Sequence, residues 1–220
     1  MLLDNVFNPK VKIHTKRNTF CTFCDLRPDE VIIKAYKDFF ILIDRYPLME
    51  GHLLIAPKEH FASFLDLPID VHTELNHIKS EIKNLMLDSY GKCSFYEHGR
   101  NFRGSFENSL SPCFHAHMHI LPVNLDVFKL MNVITNHIAE GEIPQSSVLP
   151  KQEYLLQSLD GFHWEVYHPT EELAKNCMRG FIAKALKIEG RANWKDTSAM
   201  GGIKNDYVKT FLNFESSLST

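Results

Sequence analysis

Ser111-Pro112-Cys113-Phe114-His115-Ala116-His117-Met118-His119-Ile120-Leu121-Pro122 is the stretch that decides the fold. Its three histidines stand at i, i+2 and i+4. Successive side chains of an extended strand alternate between faces, so the three imidazoles share one face while Ala116, Met118 and Ile120 point the other way, towards a core. Neighbouring imidazoles then lie about 7 Å apart, from a rise of about 3.3 Å per residue. Two chemical readings follow: three ligands to one metal ion, or one nucleophilic imidazole with a helper on each side.

Working outward, an earlier segment runs Asp44-Arg45-Tyr46-Pro47-Leu48-Met49-Glu50-Gly51-His52-Leu53-Leu54-Ile55-Ala56-Pro57-Lys58-Glu59-His60, and Phe95-Tyr96-Glu97-His98-Gly99 lies nearer the histidines. In this order and at these distances the three motifs resemble the histidine-triad superfamily, in a Hint/Fhit-like branch with a C-terminal extension. The resemblance covers residues 20 to 125. It implies an α+β fold, with an antiparallel sheet of about five strands and a packed helix, plus a mixed C-terminal extension. The expected division is an N-terminal arm over 1–20, a histidine-triad domain over 21–125 and an extension over 126–220 packed on it.

Bulk composition limits the alternatives. The chain has 220 residues, 44% hydrophobic and 23% charged, which suits a soluble globular protein. A net charge of -3 and a pI near 6.4 give no electrostatic case for a nucleic-acid partner. No apolar run reaches the length of a membrane span, and Met1 to Val6 is too short and polar for a secretory signal. Five cysteines, an odd number without disulfide-like spacing, point to a reducing, cytoplasmic compartment.

Local patterns supply the elements. Val31–Tyr36 and Phe39–Asp44 are β-branched and aromatic runs that predict a hairpin, with His52–Ala56 as a third strand. Val71, Leu75, Ile78, Ile82 and Leu85 mark one face of a helix over 69–89, started near Pro68 and stopped at Gly91. Cys93–Glu97 is the next strand, and a polar loop leads from Gly99 to the triad. Beyond Asn124 the expectations are a helix over Leu125–Ile138, a loop over Gly141–Pro150 and a hairpin of Tyr154–Leu156 with His163–Tyr167 around Asp160-Gly161. A helical stripe over Leu173–Leu186 follows Pro169-Thr170-Glu171-Glu172, whose acidic side chains favour a helix N-terminus.

Attack on phosphorus needs a neutral imidazole, and one ring nitrogen that donates to a backbone carbonyl leaves the other as nucleophile. The resemblance gives this part to His117, which forms a nucleotidyl-histidine intermediate that water then cleaves. It makes His119 the donor to a phosphate oxygen, with His52 near the same phosphate. Asp44 corresponds to a ribose-binding carboxylate, and Leu42 to an apolar side chain packed on the base. Cys21 and Cys24 have metal-ligand spacing. Zinc-binding relatives complete such a site with the positions of His60 and His115, giving a closed, structural zinc site.

Two departures stand out. Glu97 replaces an amide that touches the leaving group, and a carboxylate beside a phosphate repels it unless protonated or turned away. His98 or a loop residue then takes over that contact. Ser111-Pro112 replaces the usual lead-in, so Ser111 still offers a hydroxyl, shifted by one position, while Pro112 has no N–H. Arg100 and Arg103 in the loop offer phosphate-binding guanidinium groups. The leading expectation is a hydrolase or nucleotidyltransferase acting at the α-phosphate of a dinucleoside polyphosphate, nucleoside phosphoramidate or related adenylyl conjugate. The alternatives are a nucleotide-binding regulatory protein with little turnover and an enzyme holding a catalytic zinc on His115, His117 and His119. The family resemblance also implies a homodimer, shaped in part by the apolar face of the 69–89 helix, with no membrane partner.

Overall fold

The computed structural model describes residues 21–26, 30–99, 115–131, 135–141, 153–170, 173–174, 177–193 and 200–215, with backbone alone for 130–131 and 135–141. The expected arm over 1–20, Arg100, Arg103, Ser111, Pro112 and the loop over 142–150 lie outside these residues.

A single eight-stranded sheet organises the described chain. Its strands are β1 (Ile32–Ala35), β2 (Phe39–Ile43), β3 (Leu53–Pro57), β4 (Ser94–Gly99), β5 (Met118–Leu121), β6 (Thr135–Gly141), β7 (Tyr154–Ser158) and β8 (Trp164–Pro169). They lie in the order β1-β2-β3-β5-β4-β7-β8-β6, every neighbouring pair antiparallel. β1 to β5 are the five strands that the triad resemblance implies. β7 pairs directly with β4, from Phe95 opposite Ser158 to Gly99 opposite Tyr154, so the extension prolongs the same sheet rather than building another.

α1 (His72–Tyr90) covers one face. Its buried Leu75, Ile78, Ile82 and Met86 share a core with Phe39, Ile41, Ile43, Leu53, Ile55, Phe95, Met118 and Ile120. The helix ends as its sequence predicts: Gly91 adopts φ 72° and its N–H donates to the Leu87 carbonyl at 2.8 Å. The apolar face of α1 is thus spent on its own sheet.

The other face is covered by α2 (Val127–Met131) and α3 (Cys177–Ala185). Met178, Ile182 and Ala183 pack with Leu48, Tyr96, Leu121, Val127, Phe128 and Leu155. The helix expected over Leu125–Ile138 is replaced by the short α2 and then strand β6, which pairs along β8 from Thr135 opposite Pro169 to Gly141 opposite Trp164. Thr135 and Ile138 of β6 are β-branched, and an open sheet edge outweighs the helical spacing of Leu125–Ile138. A final helix, α4 (Met200–Phe214), buries Ile203, Thr210 and Phe214. Gly201-Gly202 near its start is a poor helix signal, and tertiary packing overrides it.

Candidate active site

Strand parity gathers the candidate residues on the face opposite α1. Leu53 and Ile55 point to the α1 core, so His52 and Leu54 point away from it. Leu54 and Tyr96 both lie opposite His119 across their ladders, and Asp44 and His98 share that parity. His117 and His119 stack edge to face with ring centroids 5.0 Å apart, closer than an ideal strand places alternate side chains. His115 and His117 precede the paired part of β5 and are held there by the Ala116 N–H, which donates to the Phe61 carbonyl at 2.7 Å.

Hydrogen bonds to the backbone set the tautomers. His117 Nδ1 lies 2.9 Å from the His115 carbonyl, which only an N–H can approach as a partner, so the lone pair of the neutral ring is on Nε2. His52 Nδ1 accepts from the Leu48 N–H at 3.0 Å, so its proton is on Nε2, 2.9 Å from His119 Nδ1. His119 Nδ1 therefore accepts, and its Nε2 carries the hydrogen. Two ring nitrogens of opposite character result: a lone pair on His117 and a donor on His119. Both rings stay neutral, because burial, with neighbouring positive charge added, pushes His119 well below the ordinary value and His117 below it as well. Burial also lowers His52 to about 4, against the pull of Asp44.

Behind these rings sits a buried ion pair. The Asp44 carboxylate is 6% exposed and accepts from Arg179 Nη1 at 2.7 Å and from the Tyr46 N–H at 2.8 Å. Its Oδ2 also lies 3.4 Å from His52 Nε2 and 3.9 Å from His119 Nδ1. Burial alone would raise its pKa, but Arg179, His52 and the Tyr46 N–H together hold it below the usual carboxylate value. Arg179 comes from α3 of the extension and also donates through Nη2 to the Tyr46 carbonyl at 2.6 Å. Arg179 lies within the helical stripe expected over Leu173–Leu186, and that stripe gives no hint that it reaches Asp44.

Other expected site residues are distributed differently. Leu42 is on the right face but only 2% exposed, sealed by Phe40, Leu54 and Ala56 with Phe23, Leu26 and Ile32 against them. Phe23, which sequence reasoning passed over inside the Cys-x-x-Cys segment, stacks on His117 with centroids 5.0 Å apart. Glu97 is a correction: its parity turns it to the α1 side, where its carboxylate accepts from the Phe64 N–H at 2.8 Å and the Tyr154 hydroxyl at 2.7 Å. Such a carboxylate fixes the fold and does not meet a leaving group. His98 does stand on the histidine face, with Nε2 2.6 Å from Glu153 Oε1 and Nδ1 3.2 Å from Cys177 Sγ. Neither partner carried a motif in the sequence. Ser111 lies outside the described residues.

Cys21, Cys24, His60 and His115 offer four donor atoms that all lie within 4.8 Å of one another. Cys21 Sγ and Cys24 Sγ each lie 3.5 Å from His115 Nδ1, and Cys24 Sγ is 3.3 Å from His60 Nδ1. Tetrahedral zinc, with bonds of about 2.3 Å to sulfur and about 2.0 Å to nitrogen, separates such ligands by about 3.5 Å. His115 Nε2 donates to the Pro57 carbonyl at 2.7 Å, which leaves Nδ1 free of a proton and aimed at the sulfurs. The donor set thus fits a closed zinc site. Among the described residues the triad does not converge on one ion. His115 belongs to the cysteine group, His119 to a second group with Asp44 and His52, and His117 to neither. The carboxylate of the second group is already paired with Arg179.

Known proteins resemble this chain in sequence. The family described as proteins similar to the CwfJ C-terminal region matches residues 7–135. CWF19-like protein 1 of Xenopus laevis is 22% identical over 211 residues, 87% of this chain and 37% of that protein. Adenylylsulfatase HINT3 of Arabidopsis thaliana is 32% identical over 116 residues, 51% of this chain and 56% of that protein. The chain therefore spans between about a third and about half of the length of these relatives. A solved histidine triad nucleotide-binding protein, described as hypothetical, from Sulfolobus tokodaii shares 26% identity over 47% of this chain and 68% of that one, with a TM-score of 0.37. With its three motifs and its family match together, the chain belongs to the CwfJ C-terminal-like family and to the histidine-triad superfamily.

Proposed function

We propose that this chain cleaves or transfers a nucleoside monophosphate from a nucleoside phosphate conjugate, at the α-phosphate, through a nucleotidyl intermediate on His117. The observation that carries the reading is the hydrogen bond from His117 Nδ1 to the His115 carbonyl, which leaves Nε2 as a lone-pair donor beside the His119 N–H. His117 Nε2 attacks phosphorus, the bond to the leaving group breaks and the departing group takes a proton. The His119 N–H stabilises the negative charge that grows on the phosphate oxygens. Water, or an acceptor in the case of transfer, then displaces the nucleotide from His117.

The substrate class we favour is an adenylyl conjugate, either a phosphoramidate or a mixed anhydride. The name of the Arabidopsis relative, an adenylylsulfatase, supports an adenylyl group joined to a strong acid. Cys21, Cys24, His60 and His115 would hold a structural zinc, which would fix His115 and hence the carbonyl that orients His117. His98 and Ser111 remain candidates for the leaving-group side, and a homodimer in the cytoplasm, acting on nucleotides and not on nucleic acid, completes the proposal.

A second reading, a nucleotide-binding protein with little turnover, is favoured by the closure of the base side, where Phe23 lies on His117 and Leu42 is sealed. Adenosine 5′-phosphoramidate, adenylyl sulfate and diadenosine tetraphosphate, assayed side by side on the reduced, zinc-loaded protein, separate the two. Turnover of any that disappears in His117→Asn supports the enzyme. Binding of AMP without turnover of any supports the second reading.

A further inference from the structure

Beside the histidine site lies a second line of polar side chains, drawn from three parts of the fold. His98 comes from β4, Glu153 from the residue ahead of β7 and Cys177 from the first position of α3. Glu153 Oε1 is 2.6 Å from His98 Nε2, and Cys177 Sγ is 3.2 Å from His98 Nδ1. An ionised carboxylate only accepts, so Nε2 carries the ring hydrogen, and Nδ1 of the neutral ring meets the thiol with a lone pair. The His98 and Glu153 side chains are 8% and 10% exposed, and Cys177 is 6% exposed. His168 Nδ1 donates to the Glu153 carbonyl at 2.7 Å and so fixes the backbone that presents the carboxylate.

We propose that Cys177, His98 and Glu153 form a thiol–imidazole–carboxylate relay that makes Cys177 a nucleophilic modification site for small peroxides. This goes beyond the nucleotidyl chemistry of His117 and does not depend on it. The thiol proton passes to His98 Nδ1, and the Glu153 carboxylate compensates the imidazolium that results. The relay carries one negative charge before and after the transfer. That charge moves to the sulfur at the N-terminal end of α3, where a helix favours an anion. Cys93 shows what burial does to a thiol with no imidazole bonded to it among the described residues: it is 5% exposed, and burial pushes it up to about 12. The other ionisable groups around α3 and His98 have their own partners. Arg179 pairs with Asp44, Arg191 pairs with Asp206, and Asp126 accepts from Gln157. His117 and His119 feel the charge of His98, which favours their neutral forms.

The reaction is a two-electron oxidation of sulfur. The thiolate attacks one oxygen of hydrogen peroxide, and the S–O bond forms as the O–O bond breaks. The departing hydroxide takes the proton from His98 Nδ1 and leaves as water. Cys177 becomes a sulfenic acid, the peroxide is reduced, and His98 returns to its neutral form. The narrow opening at Cys177 favours a reagent of this size over bulky electrophiles. Glu153 and Cys177 both belong to the extension, so its docking on β4 is what assembles the relay.

The test exposes the full chain, reduced and then freed of reductant, to hydrogen peroxide. Dimedone traps sulfenic acid, and mass spectrometry follows the Cys177 and Cys93 peptides in wild type, His98→Gln and Glu153→Gln. Wild type is expected to label Cys177 about tenfold or more faster than Cys93, at a rate that changes little between pH 8.5 and pH 6.5. His98→Gln is expected to slow Cys177 by about tenfold or more at pH 6.5 and to give it the steep pH dependence of an ordinary thiol. Glu153→Gln, which keeps an acceptor for Nε2 but removes the charge, should fall between the two. In urea, Cys177 and Cys93 should react alike, which assigns the difference to the fold. If His98→Gln does not fold, the pH profile of Glu153→Gln is read in its place. Equal labelling of Cys177 and Cys93 in the folded wild type overturns the proposal. A Cys177 rate at pH 6.5 that is unchanged in the variants overturns it as well.

Discussion

Acid should unfold this protein partly through His52, and the size of the effect can be worked out. The ring is fully buried, its Nδ1 accepts from a backbone N–H, and burial lowers its pKa from the ordinary value of 6.5 to about 4. The folded state therefore resists protonation that the unfolded chain accepts freely. The stability from this neutral ring is complete above pH 6.5 and is lost as the pH falls towards about 4. Over that window one such group changes the unfolding free energy by about 3 kcal/mol. Urea denaturation of wild type and His52→Asn at pH 7.5 and at pH 4 measures it together with its coupling to Asp44 and His119. Wild type should lose about 3 kcal/mol more than the variant on acidification. Equal losses in the two chains would refute the reasoning, since they would mean that His52 is protonated alike in the folded and unfolded states.

Three further outcomes follow from the same structure. Breaking the buried ion pair with Asp44→Asn alone should cost about 3–5 kcal/mol in urea denaturation, because Arg179 is left as an unpaired buried charge; a loss below 1 kcal/mol, roughly the value of an exposed pair, would contradict it. Cys24→Ser or His60→Ala should lower zinc content, measured by atomic absorption on reduced protein, and should lower Tm in zinc but not in chelator. Sedimentation at micromolar concentration should give a dimer, and a monomer would remove that part of the proposal.

Much of the fold was legible because its period is simple. Strand alternation put His117 and His119 on one face and Met118 and Ile120 on the other, and the Val71–Leu85 spacing marked the helix that covers the apolar side. Alternation also held the information that Glu97 faces away from the histidines, since Phe95 and Glu97 share a parity. The edge strand β6 was hidden because Leu125–Ile138 fits a helical spacing as well as a strand, and only its partner β8 decides. Arg179, Glu153 and Cys177 were not legible as site residues. They reach Asp44 and His98 across sequence separations of 135, 55 and 79 residues, and no local pattern encodes such a meeting.

The central claim is a covalent bond between His117 and a nucleotide. Rapid quench of the reduced protein with adenosine 5′-phosphoramidate, followed by intact-mass and peptide analysis under conditions that preserve phosphoramidates, tests it most directly. One adenylyl group per chain on the peptide that contains His117, formed and lost within a turnover and absent in His117→Asn, is the predicted result. Turnover at the full rate with no adduct, or an adduct that persists in His117→Asn, would contradict it.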